Sequence, residues 1–174
     1  SEFASVRQFP SGIVRADNGD LFVTHYGAAE NGLGTGRVVL RITESGEVST
    51  FSSGSMLRAP VGIAIGDDGT IYTGNFHDGR IIALDSEGNQ TEVADISEDD
   101  TAFSVGHLEF ANGTIYATAI AANALVRIDP ATGETTESFP GTPSPNGVAF
   151  DPVQGRILVA RGLNSTNLLA VVDP

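Results

Sequence analysis

The feature that most constrains this chain is a four-fold internal repeat. Its clearest copy reads PVGIAIGDDGTIYTGNFHDGRIIALDSEGNQTEVADI, from Pro60 to Ile96. Four short apolar runs lie inside it: Gly62–Ile65, Thr70–Gly74, Arg80–Leu84 and Thr91–Ala94. Asp68-Gly69 separates the first two and Ser86-Glu87-Gly88-Asn89 the last two. Asp-Gly between β-rich runs predicts a hairpin, here of the type I′ kind, because both residues tolerate positive φ. The stretch therefore reads as a four-stranded antiparallel meander. One such sheet cannot bury both of its faces alone, so copies of it must stack.

The copies are present. Gly12, Gly62, Gly106 and Gly147 each open a similar run, and a turn glycine follows at Gly19, Gly69, Gly113 and Gly155. A β pair comes next (Leu21-Phe22, Ile71-Tyr72, Ile115-Tyr116, Ile157-Leu158). Third strands read Val39–Ile42, Ile81–Leu84, Leu125–Ile128 and Leu169–Val172. Repeats of roughly 40–50 residues with four strands each are the mark of propeller blades. The expected fold is a single all-β propeller domain over 1–174, with blades at about 11–52, 61–96, 105–140 and 146–174.

The termini suggest how such a ring closes. Ser5–Phe9 (SVRQF) matches the fourth strand Thr135–Phe139 (TTESF), and both run into Pro or the chain's next blade. The chain stops at the equivalent of a third strand. Residues 4–9 are therefore expected to complete the last blade beside Asn167–Val172, which closes four blades and hides their edges. Two alternatives stay open: half of an eight-bladed dimeric ring, or a piece of a larger propeller.

The motifs P-x-G-(I/V)-A … D-G-T-I-Y and G-R-I-I-A-L-D-S-E-G resemble NHL-type, SMP-30/gluconolactonase-type and streptogramin-lyase-type propeller repeats. The last two copies, NALVRIDPATGE and NGVAFDPVQGRILVARGLNSTNLLAVVDP, resemble YVTN repeats. The resemblance covers nearly the whole chain. It implies the architecture, while its members include lactonases, lyases and pure binding proteins, so the activity has to be argued from a site.

Composition narrows the function classes. The formal net charge is −13, and all nine basic residues are arginine. A surface this acidic repels phosphate backbones, so nucleic acid is not an expected partner. No apolar run approaches the ~20 residues of a membrane helix, and no membrane partner is expected. With no cysteine there is neither a disulfide framework nor a thiolate site. Ser1-Glu2-Phe3 reads as a cloning scar behind which a leader fits, and an extracytoplasmic location, periplasmic or secreted, is the expectation. The expected state is a monomer or a homodimer.

Candidate site residues come from breaks in the repeat. At the end of the second strand the copies carry His25, Asn75, Ala119 and Arg161. Lyase-type repeats carry Glu there and NHL-type repeats Asp, and this chain has neither. Before the blade glycine stand Ser11, Val61, Val105 and Asn146; Asn146-Gly147 resembles the N-G at which gluconolactonase-type propellers place a metal-binding asparagine. After it stand Ile13, Ile63, His107 and Val148, so His107 replaces an aliphatic residue, and Glu109 lies two residues on, on the same face by alternation. His77 lies beside Asn75. The 26–36 connection, with Gly32, Gly34 and Gly36, reads as a mobile surface loop, and Glu98-Asp99-Asp100 as a solvated acidic loop.

Two functions follow. In the first, the propeller is a binding module whose mouth (His25, Asn75, Asn146, Arg161) takes a small polar or anionic molecule or a peptide; Arg161 supplies a bidentate bond to a carboxylate. In the second, implied by the resemblance, a divalent cation (calcium or magnesium) held by Asn75, Asn146 and carbonyl groups polarises a lactone or ester, and His25 or His107 moves the proton.

Overall fold

The computed structural model describes residues 3–30, 33–97, 105–140, 144–162 and 169–172. It is all-β. Among these residues there are three four-stranded antiparallel sheets, one three-stranded sheet and a small hairpin. The first blade pairs β1 (Pro10–Arg15), β2 (Leu21–His25), β5 (Val38–Ile42) and β6 (Val48–Ser53) in that order. The second runs through β7 (Pro60–Ile65), β8 (Ile71–Asn75), β9 (Arg80–Leu84) and β10 (Gln90–Asp95). The third holds β11 (Val105–Ala111), β12 (Thr114–Ala119), β13 (Ala124–Ile128) and β14 (Thr135–Pro140). The fourth shows β15 (Pro145–Asp151), β16 (Arg156–Arg161) and β17 (Leu169–Val172). The first strands β1, β7, β11 and β15 lie side by side.

Turn chemistry sets the ends of these strands. Gly19, Gly69, Gly113 and Gly155 all have positive φ, as do Gly46, Gly88 and Gly133 in the turns between third and fourth strands. Aspartates brace the same turns: Asp68 Oδ1 accepts the Thr70 N–H, Asp85 those of Glu87 and Asn89, and Asp129 that of Ala131. The expected type I′ turn is found at Asn112-Gly113, where both residues have positive φ. Asp68-Gly69 differs: the Gly66 N–H bonds Thr70 O and the Gly69 N–H bonds Gly66 O. That is a longer loop, a turn followed by a left-handed glycine.

The core lies between blades. Blade one gives Phe22 and Val39, and blade two Ile63, Ile71, Ile82 and Leu84, to one cluster. Leu57, from the link between these blades, is wholly buried in it. Tyr72 and Ile81 of blade two meet Leu108, Ile115 and Val126 of blade three; Tyr116 and Leu125 then meet Val148, Ile157 and Val159 of blade four. Hydroxyls pin these interfaces. Thr24 Oγ1 accepts the Gly12 N–H and donates to Val61 O of the next blade. Thr118 Oγ1 accepts the His107 N–H and donates to Asn146 O.

The expected closure by Ser5–Phe9 is not what the structure shows. Residues 3–7 form no strand; Ala4 and Val6 instead pack on Val23, Leu40 and Ile42, the face of blade one turned away from blade two. Ala4 and Val6, alternate residues of a mostly exposed segment, cover the apolar face side-on without extending a sheet. Residues 167–168, the start of the strand expected as its partner, lie outside the described residues. Among the described residues the exposure of equivalent positions shows an arc with open ends: Ile13 is 61% exposed, whereas Ile63, Leu108 and Val148 are 4%, 2% and 8% exposed, each against the preceding blade. Leu169 and Val171 are exposed at the other end. The described part of the 26–36 connection is folded, not a free loop: β3 (Ala29–Glu30) pairs with β4 (Leu33–Gly34), and Gly34 and Gly36 abut Tyr26 and the His25 carbonyl too closely for a side chain.

Thr118→Val keeps shape but leaves the His107 N–H and Asn146 O without their partner. A loss of about 1–3 kcal/mol in urea unfolding is expected. Wild-type stability in this variant would show that the hydroxyl bridge does not hold blades three and four together.

Candidate functional site

The mouth of the arc is the end of the sheets where each second strand finishes. His25, Asn75, Ala119 and Arg161 face the first residue of their first strands, Pro10, Pro60, Val105 and Pro145. They occupy one structural position, repeated four times. In blades one, two and four the next residue caps the blade: the N–H groups of Tyr26, Phe76 and Gly162 bond the carbonyls of Phe9, Ala59 and Ser144. Those three acceptors have φ of 63°, 51° and 48°. Each also precedes a proline, which disfavours helical-type conformations, so the backbone at the rim is held under strain.

The four equivalent residues do different things. Asn75 is fully buried. Its Oδ1 accepts the Arg58 N–H at 3.0 Å and its Nδ2 donates to Met56 O at 2.7 Å. The amide clamps the link between blades one and two, and Asp78, itself buried, holds Arg58 and Arg80 beside it. The neighbouring His77 N–H bonds Arg58 O. At the equivalent places His25 Nδ1 and Arg161 Nε are buried without a hydrogen bond. Buried polar atoms are nearly always satisfied, so two orphans at one repeated position stand out. Asn146 is exposed, one residue on from the partner of Arg161.

His107 and Glu109 lie on the inner side of the arc. They share a cavity of about 220 Å³ with Ile13, Ile63 and Val148, so all four first strands contribute. The strand registers correct the reading of His107. Leu108 pairs with Ala117 as Ile63 pairs with Thr73, which puts His107 at the blade-glycine position of Gly12, Gly62 and Gly147. The shared N–H to threonine bond of Gly12 and His107 says the same. Glu109 then matches Val14, Ala64 and Ala149, the residues that pair with Phe22, Tyr72 and Leu158. Burial pushes the Glu109 carboxyl up, with a hydrogen bond from the Phe150 backbone opposing it. Burial pushes the His107 imidazole down. Neither group acts on the other; each answers to its own desolvation.

A divalent cation fits this rim poorly. The carbonyl oxygen of Asn75 is spent on Arg58, and hard cations want carboxylates. Among the described residues no group of three or more His, Asp or Glu converges. Glu98, Asp99 and Asp100 lie outside the described residues. Sequence reasoning missed Met56 and Arg58, which decide what Asn75 does; Asn75 being the only amide at its repeat position was the available signal.

Glu109 supplies a pH test. Its folded pKa lies above the ordinary 4.5, so the ionised form costs the fold stability once pH rises past it, and the cost is absent below 4.5 where both states are protonated. Glu109→Gln should therefore raise the melting temperature near neutral pH, with the gain fading in acid. Equal melting of both proteins at about pH 7.5 would contradict a desolvated carboxylate. Asn75→Ala should cost about 2–4 kcal/mol, since it strands the Arg58 N–H and the Met56 carbonyl. Urea unfolding reads it, and a neutral result would make Asn75 a surface group after all.

Solved propellers share the architecture. The chain superposes on a putative oxidoreductase (glucose dehydrogenase) from Thermus thermophilus with a TM-score of 0.76 at 13% identity, covering 100% of this chain and 64% of that one. A gluconolactonase from Xanthomonas campestris gives a TM-score of 0.71 at 17% identity, with 95% and 57% covered. A catalytically inactive virginiamycin B lyase from Staphylococcus aureus, with quinupristin, gives 0.65 at 23% identity, with 94% and 55% covered. At these identities the likeness is one of fold, and this chain spans under two thirds of each. No curated protein matches the sequence significantly. Residues 19–170 match the family model "Repeat of unknown function (DUF6923)", and the chain belongs to that family.

Proposed function

We propose that this chain is a binding module, and that its mouth receives a small anionic or polar molecule between repeated rim positions. The observation that carries this reading is the pair of orphaned atoms, His25 Nδ1 and Arg161 Nε, at equivalent places in blades one and four. A carboxylate on Arg161 would accept two parallel N–H bonds from the planar guanidinium. Asn146 beside it adds an amide donor, and the imidazole of His25 can donate or accept as the ligand requires. The rigid scaffold suits such a role, since loops and strand ends on stacked blades hold their groups in place without closing around the ligand.

The ring that completes the mouth is part of the proposal. Four blades arranged with open ends leave one wall missing, and a second copy or further blades of the same repeat would supply it. The lactonase or lyase alternative draws on likeness of fold, and Asn75, its expected ligand, is already engaged. Binding without reaction is the better-supported reading.

Calorimetric titration with succinate and gluconate tests the proposal. Saturable binding is expected, and Arg161→Ala should weaken it by ~1.5–3 kcal/mol, the usual worth of a hydrogen bond to a charged group. Failure of both anions to bind, or an unchanged affinity in Arg161→Ala, would overturn it. Hydrolysis of a δ-lactone in the presence of calcium or magnesium, above the rate without protein and abolished by Asn146→Ala, would favour the enzyme instead.

A further inference from the structure

The opposite end of the arc carries a second departure from the repeat. Registers make Phe22, Tyr72 and Tyr116 equivalent on the second strands, and Ile65, Phe110 and Phe150 equivalent on the first strands of the following blades. Across the second junction Tyr72 stacks on Phe110, with ring centroids 5.8 Å apart and planes 2° from parallel. The third junction again offers two aromatics, Tyr116 and Phe150, in one cluster. The first has Phe22 and the shorter, non-planar Ile65. There a groove of about 540 Å³ opens between blades one and two.

Its lining has two parts. The floor is apolar: Phe22, Phe51, Ile65 and Ile71, with Phe51 edge-on to Phe22 at 4.7 Å. The rim is acidic. Asp20 is buried and already neutralised by Arg41, whose Nε lies 2.7 Å from Oδ2. Asp17 and Asp67 line the groove as well, are exposed, and have no cationic partner among the described residues. The size falls within the ~300–1,000 Å³ typical of small-molecule sites. Aromatic walls and unpaired carboxylates together favour a positive charge on an apolar body.

We propose that the groove between blades one and two, on the turn end of the arc, binds a small organic cation: an ammonium group carried on an aromatic or aliphatic body. The body takes the place that Phe110 holds at the next junction, and the ammonium sits between Asp17 and Asp67. This site is separate from the mouth and does not depend on what binds there.

Titration calorimetry with phenethylammonium, 2-phenylethanol and phenylacetate separates the charge from the body. Phenethylammonium should bind saturably, the neutral alcohol about tenfold more weakly, and the anion not measurably. Ile65→Phe should restore the aromatic pair, fill the groove and abolish binding while the melting temperature holds or rises. The double variant Asp17→Asn with Asp67→Asn, which leaves the core untouched, should lose about tenfold in affinity. The proposal fails if wild-type protein shows no saturable binding up to about 10 mM. It fails equally if the alcohol binds as tightly as the ammonium, or if either folded variant keeps wild-type affinity.

Discussion

Each blade is a sheet with apolar side chains on both faces, and neither face can be buried within the blade itself. Blade two shows the consequence: Ile71 and Ile82 point to blade one while Tyr72 and Ile81 point to blade three. Alternation along a strand makes this unavoidable, because consecutive residues leave opposite faces. Stacking of blade on blade is therefore the interaction on which the rest of the molecule depends. It also fixes the spacing of the first strands, since Thr24 and Thr118 tie the second strands of blades one and three to a carbonyl of the following blade. At the matching place in blade two there is no hydroxyl; Gly74 leaves room that the Val105 side chain fills. Two solutions, a hydrogen bond and a methyl contact, serve one junction geometry.

Once stacking sets the frame, differences between copies become chemistry. A residue that fills the same position in every blade is explained by the frame. One that departs from its copies has a local cause, and the structure sorts those causes. Asn75 departs in order to tie down Met56 and Arg58. His107 takes a glycine's place, keeps its backbone bond to threonine, and lets an imidazole into the inner cavity. Ile65 departs by being smaller than its aromatic copies, and leaves space. His25 and Arg161 depart with polar atoms that find no partner.

This sorting also marks what could be read in advance. The blades were legible because turn glycines and β pairs recur at nearly fixed intervals, and periodicity is the signal that stacking imposes. Site residues at the rim were legible as positions but not as roles. Whether an asparagine clamps a link or meets a ligand depends on Met56 and Arg58, which belong to no repeat. His107 was misplaced by one residue because Gly106 imitates the blade glycine, and only strand pairing separates the two. The N-terminal segment misled for a related reason. SVRQF looks like a fourth strand since a strand edge and an apolar cover call for the same side chains, and the open face beside Val23 and Leu40 is nearer.

The acidity of the chain acquires a direction from the same constraints. Hairpin turns favour aspartate because its carboxylate accepts nearby backbone N–H groups. Asp68, Asp85, Asp129 and Asp151 all do this, and all lie at the end of the sheets where first and second, or third and fourth, strands are joined. Asp17 and Asp67 stand in the same row of turns. The other end has links instead of tight turns; there Arg58 and Arg80 face Asp78, Arg80 also faces Asp95, and Arg37 donates to the Leu57 carbonyl. Turn chemistry thus places carboxylates in a row at one end, where Arg15, Arg41 and Arg156 pair with only some of them. Under the two proposals, the unpaired carboxylates beside the groove by Phe22 would attract an organic cation, and Arg161 at the mouth an anion. The two proposed sites are opposite in charge because the two ends of a meander are built from different kinds of connection.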